Sequence, residues 1–164
     1  MPDLLVNLLN IPNPKSLSDP RVNIRRAQPF ELTPVHRFIK EHFALSWADE
    51  VSIGFANKPV SVYIATIDQL LVGFAAYECT RRAFFGPTGV LEDARGKGIG
   101  TQLLLHSLVA MRELGYVYGI IGGVGPVVFY QKTVGAIVIP DSDPGIYKDR
   151  LKTASPRIDT DDAD

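Results

Sequence analysis

Cysteine appears once in the 164 residues, at Cys79, so no internal disulfide can form and a reducing compartment, the cytoplasm, is the expected setting. Histidine appears three times, at scattered positions, and leaves no ligand spacing for zinc, so no metal is expected. Excess charge is missing too. Lys and Arg total 17 against 18 Asp and Glu, a formal net charge of −1. No global field recruits nucleic acid or an anionic membrane, and neither is expected as a partner. No apolar run reaches the ~20 residues of a membrane span. The opening "MPDLLVNLLNIP" has no basic flank, carries Asp3 and runs into Pro12, Pro14 and Pro20. It reads poorly as a secretion signal and better as a short helix or strand packed on the domain. A G-x-S-x-G nucleophile elbow is absent.

What remains is an ordinary globular composition, 46% hydrophobic and 21% charged, in a chain long enough for one cored domain. Residues 1–20 read as an N-terminal arm whose "IPNPKSLSDP" is dense in Pro, Ser and Asn. "RVNIRRA" (21–27) reads as a strand. "ELTPVHRFIKEHF" (31–43) places Leu32, Val35, Phe38, Ile39 and Phe43 on one helical face. "SWADEVSIGFA" (46–56) predicts an irregular helix capped by Ser46. The period then changes. "VSVYIATI" (60–67), "LLVGFAAYECT" (70–80) and "RAFFGPTGVL" (82–91) predict three strands, the first two joined by the turn Asp68–Gln69. Pro87 removes a ladder donor and predicts a bulge or bend. "GIGTQLLLHSLVAMREL" (98–114) predicts a helix apolar round most of its circumference and closed by Gly115. A buried strand (116–123), a short helix (125–134) with Pro126 at its first position, and two short strands, "AIVIP" and "GIYKDRL", follow. Residues 152–164 read as a disordered acidic tail. The fold class is mixed, α/β (α+β).

The stretch that asks for an explanation is "EDARGKGIGTQLLLHSL" (92–108). A strand ending at Val90–Leu91 feeds three glycines and two cations, which open a greasy helix. First-turn N–H groups lack partners and carry about +0.5 of an elementary charge. Glycines let those groups face a ligand, and Arg95 and Lys97 add full charges, so the combination suits a diphosphate. The dinucleotide fingerprint does not fit. Its glycines are spaced otherwise, and here no acid stands between Glu113 and Asp141. The P-loop does not fit, because Gly98 follows Lys97 where Ser or Thr is needed. A purely structural helix start fits one glycine better than three.

"RGKGIG" (95–100) resembles R/Q-x-x-G-x-G/A, the pyrophosphate loop of the GNAT acyltransferases, which bind acetyl-CoA. Val90 before the loop, the long helix after it, and "FYQK" (129–132) in a later short helix strengthen the resemblance, which extends over residues 21–151. It implies a mixed six- to seven-stranded central sheet flanked by helices on both faces, and acetyl-CoA as co-substrate. By that resemblance the backbone of Arg95, Gly96, Lys97, Gly98, Ile99, Gly100 and Thr101 cradles the pyrophosphate. Val90 and Leu91 pair with the pantetheine arm where two strands splay. An amine attacks the thioester directly, and Tyr130 is the expected acid for the leaving thiolate. Glu78 is the nearest candidate base, with Glu92 next, because the strand before the loop has no carboxylate. Glu41, His42 and Glu50 fall in the helical region that covers the acceptor side in the family. Trp47, Phe55, Phe84 and Phe85 read equally as acceptor pocket or core, and His106 as a core histidine. The Asn that often holds the pantetheine is missing, and Gly135 stands five positions beyond Tyr130 rather than four. The implied activity is an N-acetyltransferase with an amine acceptor. A non-catalytic acyl-CoA-binding or sensory module on the same fold is the alternative. A homodimer is compatible with either.

Overall fold

Stretches rich in β-branched and aromatic residues supply most of the sheet. The computed structural model describes residues 1–154. Its elements are β1 (Leu4–Asn7), β2 (Val22–Arg26), α1 (Leu32–His42), α2 (Leu45–Ser52), β3 (Val62–Ile67), β4 (Leu70–Tyr77), β5 (Phe84–Val90), α3 (Ile99–Glu113), β6 (Tyr118–Ile121), α4 (Val127–Val134) and β7 (Ile137–Val138). One sheet runs in the order β2-β3-β4-β5-β6-β1-β7. Every neighbouring pair is antiparallel except β5 and β6. The tail expected over 152–164 lies, from residue 155 on, outside the described residues.

Strand periodicity sorts two cores onto the two faces. Val62, Ile64, Phe74 and Ala76 point to α1 and α2, where Val35, Phe38, Ile39, Ala48 and Val51 are buried. Ala65, Ala75 and Tyr77 point the other way, to α3 and α4. Gly89 of β5 allows a close approach on the first face. A Cβ there would stand 2.5 Å from the Phe43 ring. Phe43 thereby lies flush on β5, edge-on to Phe74 at 5.4 Å and stacked with Trp47 at 6.1 Å, which fixes the start of α2 over the sheet.

The first residues do more than pack on the domain. β1 lies inside the sheet, between β6 and β7, with Leu4, Val6 and Leu8 fully buried against α3. Residues 11–20 then cross the outer side of α3. The Lys15 N–H donates to the buried Gln102 Oε1 at 2.7 Å, and Ile11 and Leu17 add apolar contact. A helix covered by sheet on one side and arm on the other is apolar all round, as α3 is. Leu103, Leu104, Leu105, Leu108 and Met111 are buried, and each such side chain contributes roughly 1.5–3 kcal/mol.

Local expectations fared unevenly. Asp68 and Gln69 form the β3–β4 turn with both φ positive, at 50° and 69°, the conformation of a two-residue hairpin turn, without any glycine. The bulge expected near Pro87 appears as a register shift between Ala75 and Tyr77, opposite that part of β5. Ala44 stands at the α2 N-cap and no side chain caps it, so Ser46 lies inside the helix. Pro126 is the N-cap of α4 rather than its first residue. "GIYKDRL" is not a strand. Gly145–Tyr147 form one 3-10 turn, because Pro144 offers no N–H and its carbonyl accepts from the Tyr147 N–H at 3.1 Å.

Candidate functional site

β5 and β6 pair in parallel only at Phe84–Ile120 and Phe85–Ile121, and beyond Phe85 that edge of β5 is open. The gap is a cleft of about 540 Å³ that includes Phe85, Thr88 and Val90 on one wall, the loop 94–98 and the start of α3 at its end, and Phe129 and Tyr130 of α4 opposite. Two loop glycines are there for their backbone. Gly96 and Gly98 have φ of +80° and +82°, so the left-handed turn demands both; a Cβ at Gly96 would meet nothing, whereas one at Gly98 would also stand 3.0 Å from the tip of Leu17. Gly98 is the N-cap of α3 and brings no side chain to it, so the N–H groups of Ile99, Gly100 and Thr101 are left without intrahelical partners.

The two cations behave differently from one another. The Arg95 Nε–H donates to the Val90 carbonyl at 3.2 Å, which folds the guanidinium along the cleft wall. Its own backbone N–H is spent on the Glu92 carbonyl at 3.1 Å, so the free donors begin at Gly96. Lys97 turns away to the Asp19 carboxylate of the arm, 3.7 Å off. Asp19 also takes a bidentate hydrogen bond from Arg21, at 3.1 and 2.8 Å, which with the neighbouring cations holds its carboxyl down to about 2. Leu91 lies off the cleft, its N–H bonded to the Val72 carbonyl at 2.8 Å and its side chain between the two cores.

Tyr130 is 6% exposed and meets Phe85 and Phe129 edge-on at 6.4 and 5.0 Å. Burial pushes its phenol up to about 12. The five-residue spacing to Gly135 costs nothing in regularity. Gly135 closes α4 in the left-handed conformation with φ +66°, and the Ala136 N–H reaches the Tyr130 carbonyl at 3.4 Å.

On the other side of Phe85 lies a second cavity of about 590 Å³. Trp47 and Glu50 of α2, Thr80, the β5 segment Phe84–Pro87, Gly122 and Gly123, and the segment carrying Tyr147 and Arg150 enclose it. The Thr80 hydroxyl donates a short hydrogen bond to Glu50 Oε1. Phe85 lines both cavities and stands between them where the β5–β6 ladder ends.

The family model described as the acetyltransferase (GNAT) domain matches residues 58–133, a span that contains the glycine loop, α3 and Tyr130. This stretch of the chain is similar to a GNAT acetyltransferase domain. Solved GNAT structures share its fold. They include the GCN5-related glucosamine N-acetyltransferase region of a fungal multi-domain GH3 β-N-acetylglucosaminidase, at 15% identity and a TM-score of 0.67 over 84% of this chain and 19% of that one. A GCN5-related N-acetyltransferase from Sphaerobacter thermophilus matches at 18% identity and 0.67 over 84% and 48%. One from Kribbella flavida matches at 14% and 0.51 over 73% and 46%. The chain thus spans a fifth to a half of the length of these structures. No curated protein matches it in sequence.

The residues singled out from sequence do not all meet. Val90, Arg95, Gly96, Gly98, Ile99, Gly100, Thr101 and Tyr130 share the cleft. Leu91 and Lys97 stand outside it. Glu78 is engaged elsewhere. It sits at φ +58° after β4, accepts the Ala83 N–H on Oε1 at 2.5 Å and takes the Tyr116 hydroxyl on Oε2 at 3.1 Å. Its carboxylate pins the β4–β5 connection and lines neither cavity. Of the ambiguous aromatics, Trp47, Phe84 and Phe85 line the second cavity and Phe55 packs on the core. His106 is half-buried against Tyr63 at 5.4 Å, and burial lowers its pKa. Sequence reasoning missed Thr80, Tyr147 and Arg150, which have no spacing signal because three distant segments bring them together. It also missed Asp19 and Leu17, whose arm reads from composition as a linker. Among the described residues no helix is long and apolar enough to cross a membrane, and no group of three His, Cys, Asp or Glu is placed to hold a metal.

Proposed function

We propose that this GNAT domain transfers an acetyl group from acetyl-CoA to an amine by direct attack. The observation that carries the reading is the open β5 edge running straight onto an uncapped helix N-terminus, with Tyr130 across the gap. The donors from Gly96 to Thr101 suit a pyrophosphate, since every second residue is a glycine without a Cβ and the helix end is positive. The edge of β5 that β6 leaves open beyond Phe85 suits an amide-containing arm added like a strand. The thioester of acetyl-CoA supplies the acyl group. Tyr130 then holds a proton for the sulfur. A phenol at about 12 stays protonated at neutral pH, and the burial that raises it also raises the proton affinity of a thiolate in the same cleft. The single cysteine, buried and pushed up to about 11 by that burial, suits a reducing, cytoplasmic setting.

The test is titration calorimetry of Gly100→Asp with acetyl-CoA. A Cβ at Gly100 meets only Val90 Cγ2, at 3.8 Å, and an acid in a helix's first turn is tolerated by the fold. Binding is expected to weaken more than tenfold while the melting temperature holds. Unchanged affinity removes the pyrophosphate assignment. Release of CoA thiol on addition of amines then separates a transferase from a module that binds acyl-CoA and does not turn it over, a reading favoured only by the absence of a carboxylate on β5.

A further inference from the structure

The second cavity calls for an occupant of its own. Phe85 alone lines both it and the donor cleft, at the point where β5 and β6 part. Its volume of about 590 Å³ is that of a small-molecule site. Its wall holds one carboxylate, Glu50, already oriented by the Thr80 hydroxyl, and the rings of Trp47, Phe84, Phe85 and Tyr147. The other acid on that wall, Asp143, faces the N-terminal ammonium at 2.8 Å. Arg150 stands at the rim, its guanidinium 4.8 Å from the centre of the Tyr147 ring.

Those features select a ligand. A carboxylate among aromatic rings holds a primary ammonium or amine, through hydrogen bonds and the negative ring faces. The rings ask for an apolar or flat body. Arg150 disfavours a second cation, and so a polyamine. We infer that this cavity is the acceptor site, that it takes a compact primary monoamine with an apolar body, and that Glu50, not Glu78, is the carboxylate that receives the amine's proton. The inference rests on the donor reading above and adds the acceptor class and the base.

The chemistry balances. The lone pair of the neutral amine forms the C–N bond, and the C–S electron pair leaves with sulfur. Tyr130 gives its hydroxyl proton to that sulfur. Glu50 takes the excess proton of the nitrogen, which the new bond to a carbonyl carbon has made acidic. Exchange with solvent returns Glu50 to its anion and Tyr130 to its phenol, with no net proton consumed. The titratable and charged groups facing Glu50 are the Cys79 thiol beneath it, the Tyr147 phenol, and Asp143 and Arg150 across the cavity. Burial pushes both the Cys79 thiol and the Tyr147 phenol up, so both are neutral through the range in which a carboxylate titrates.

The experiment measures CoA thiol release with 2-phenylethylamine, and with spermidine and glutamate as comparison amines, alongside calorimetry with acetyl-CoA. The expected result is turnover of 2-phenylethylamine at least tenfold above either comparison in kcat/KM. Glu50→Gln is expected to lose at least a hundredfold in kcat/KM, with acetyl-CoA affinity unchanged. Glu50→Asp should restore part of the rate. Glu113→Gln, at the exposed end of α3, should leave it unchanged. Acetyl-CoA binding without turnover of 2-phenylethylamine overturns the acceptor assignment and leaves the donor reading standing. Full turnover in Glu50→Gln overturns the role of Glu50, provided its melting temperature matches the parent. Failure of acetyl-CoA to bind overturns both readings.

Discussion

In the proposed reaction Tyr130 is the residue that gives a proton to the leaving sulfur. Its ring is wedged between Phe85 and Phe129, so removal of the hydroxyl alone leaves the packing in place. Tyr130→Phe is expected to lower kcat by roughly 10²–10⁴, the usual weight of a positioned acid, with little change in the KM for acetyl-CoA. Stopped-flow or steady-state thiol release measures it. The pH dependence has a definite sign. The phenol is the active form and burial raises its pKa to about 12, so activity is retained below that value and falls as pH rises through it. A basic limb near the ordinary phenol value of ~10 would contradict the assignment. Sequence marked Tyr130 because the short helix around it carries a recognisable string. It could not exclude Glu78, because the left-handed turn that aims this carboxylate at the Ala83 N–H depends on how β4 meets β5.

At the scale of elements, the glycine loop was legible and the acceptor cavity was not. The loop is one contiguous run whose positive-φ glycines and following helix are local physics. The cavity is assembled from α2, the Thr80 turn, β5 and residues 143–150, and nothing in any of them alone requires the others. The arm is a third case. Its prolines suggest a linker, yet Lys15 and Leu17 lie on α3 and Asp19 holds Lys97. That ion pair competes with any anion for the lysine. Asp19→Asn is therefore expected to tighten acetyl-CoA binding by two- to fivefold at low salt, and the gain should shrink toward 0.5 M salt as screening weakens both contacts. Calorimetry at two ionic strengths reads it out. Because the Arg21 hydrogen bonds hold Asp19 down to about 2, the parent should show this competition across the whole neutral and mildly acid range.

The whole molecule depends on residues that composition alone would set aside. The mixed α/β class follows from the order of strong periodic segments, which is legible, and the sheet with helices on both faces from the resemblance carried by the glycine loop. The place of β1 is not, since four residues carry no signal of which strands will flank them. Leu4 and Val6 are fully buried between partners taken from residues 118–121 and 137–138. Leu4→Ala is expected to cost about 2–5 kcal/mol, as for other fully buried leucines, measured by urea denaturation. A peripheral arm would lose far less.

That placement also orders events in time. During synthesis β1 is the first strand to leave the ribosome and one of the last to find its neighbours, because β6 and β7 are made more than a hundred residues later. Until then the apolar "LLVNLL" has no ladder to join, and the N-terminal residues must be kept from pairing with other chains. The sheet is thus completed around its oldest segment, which waits for its neighbours until more than a hundred further residues have been made.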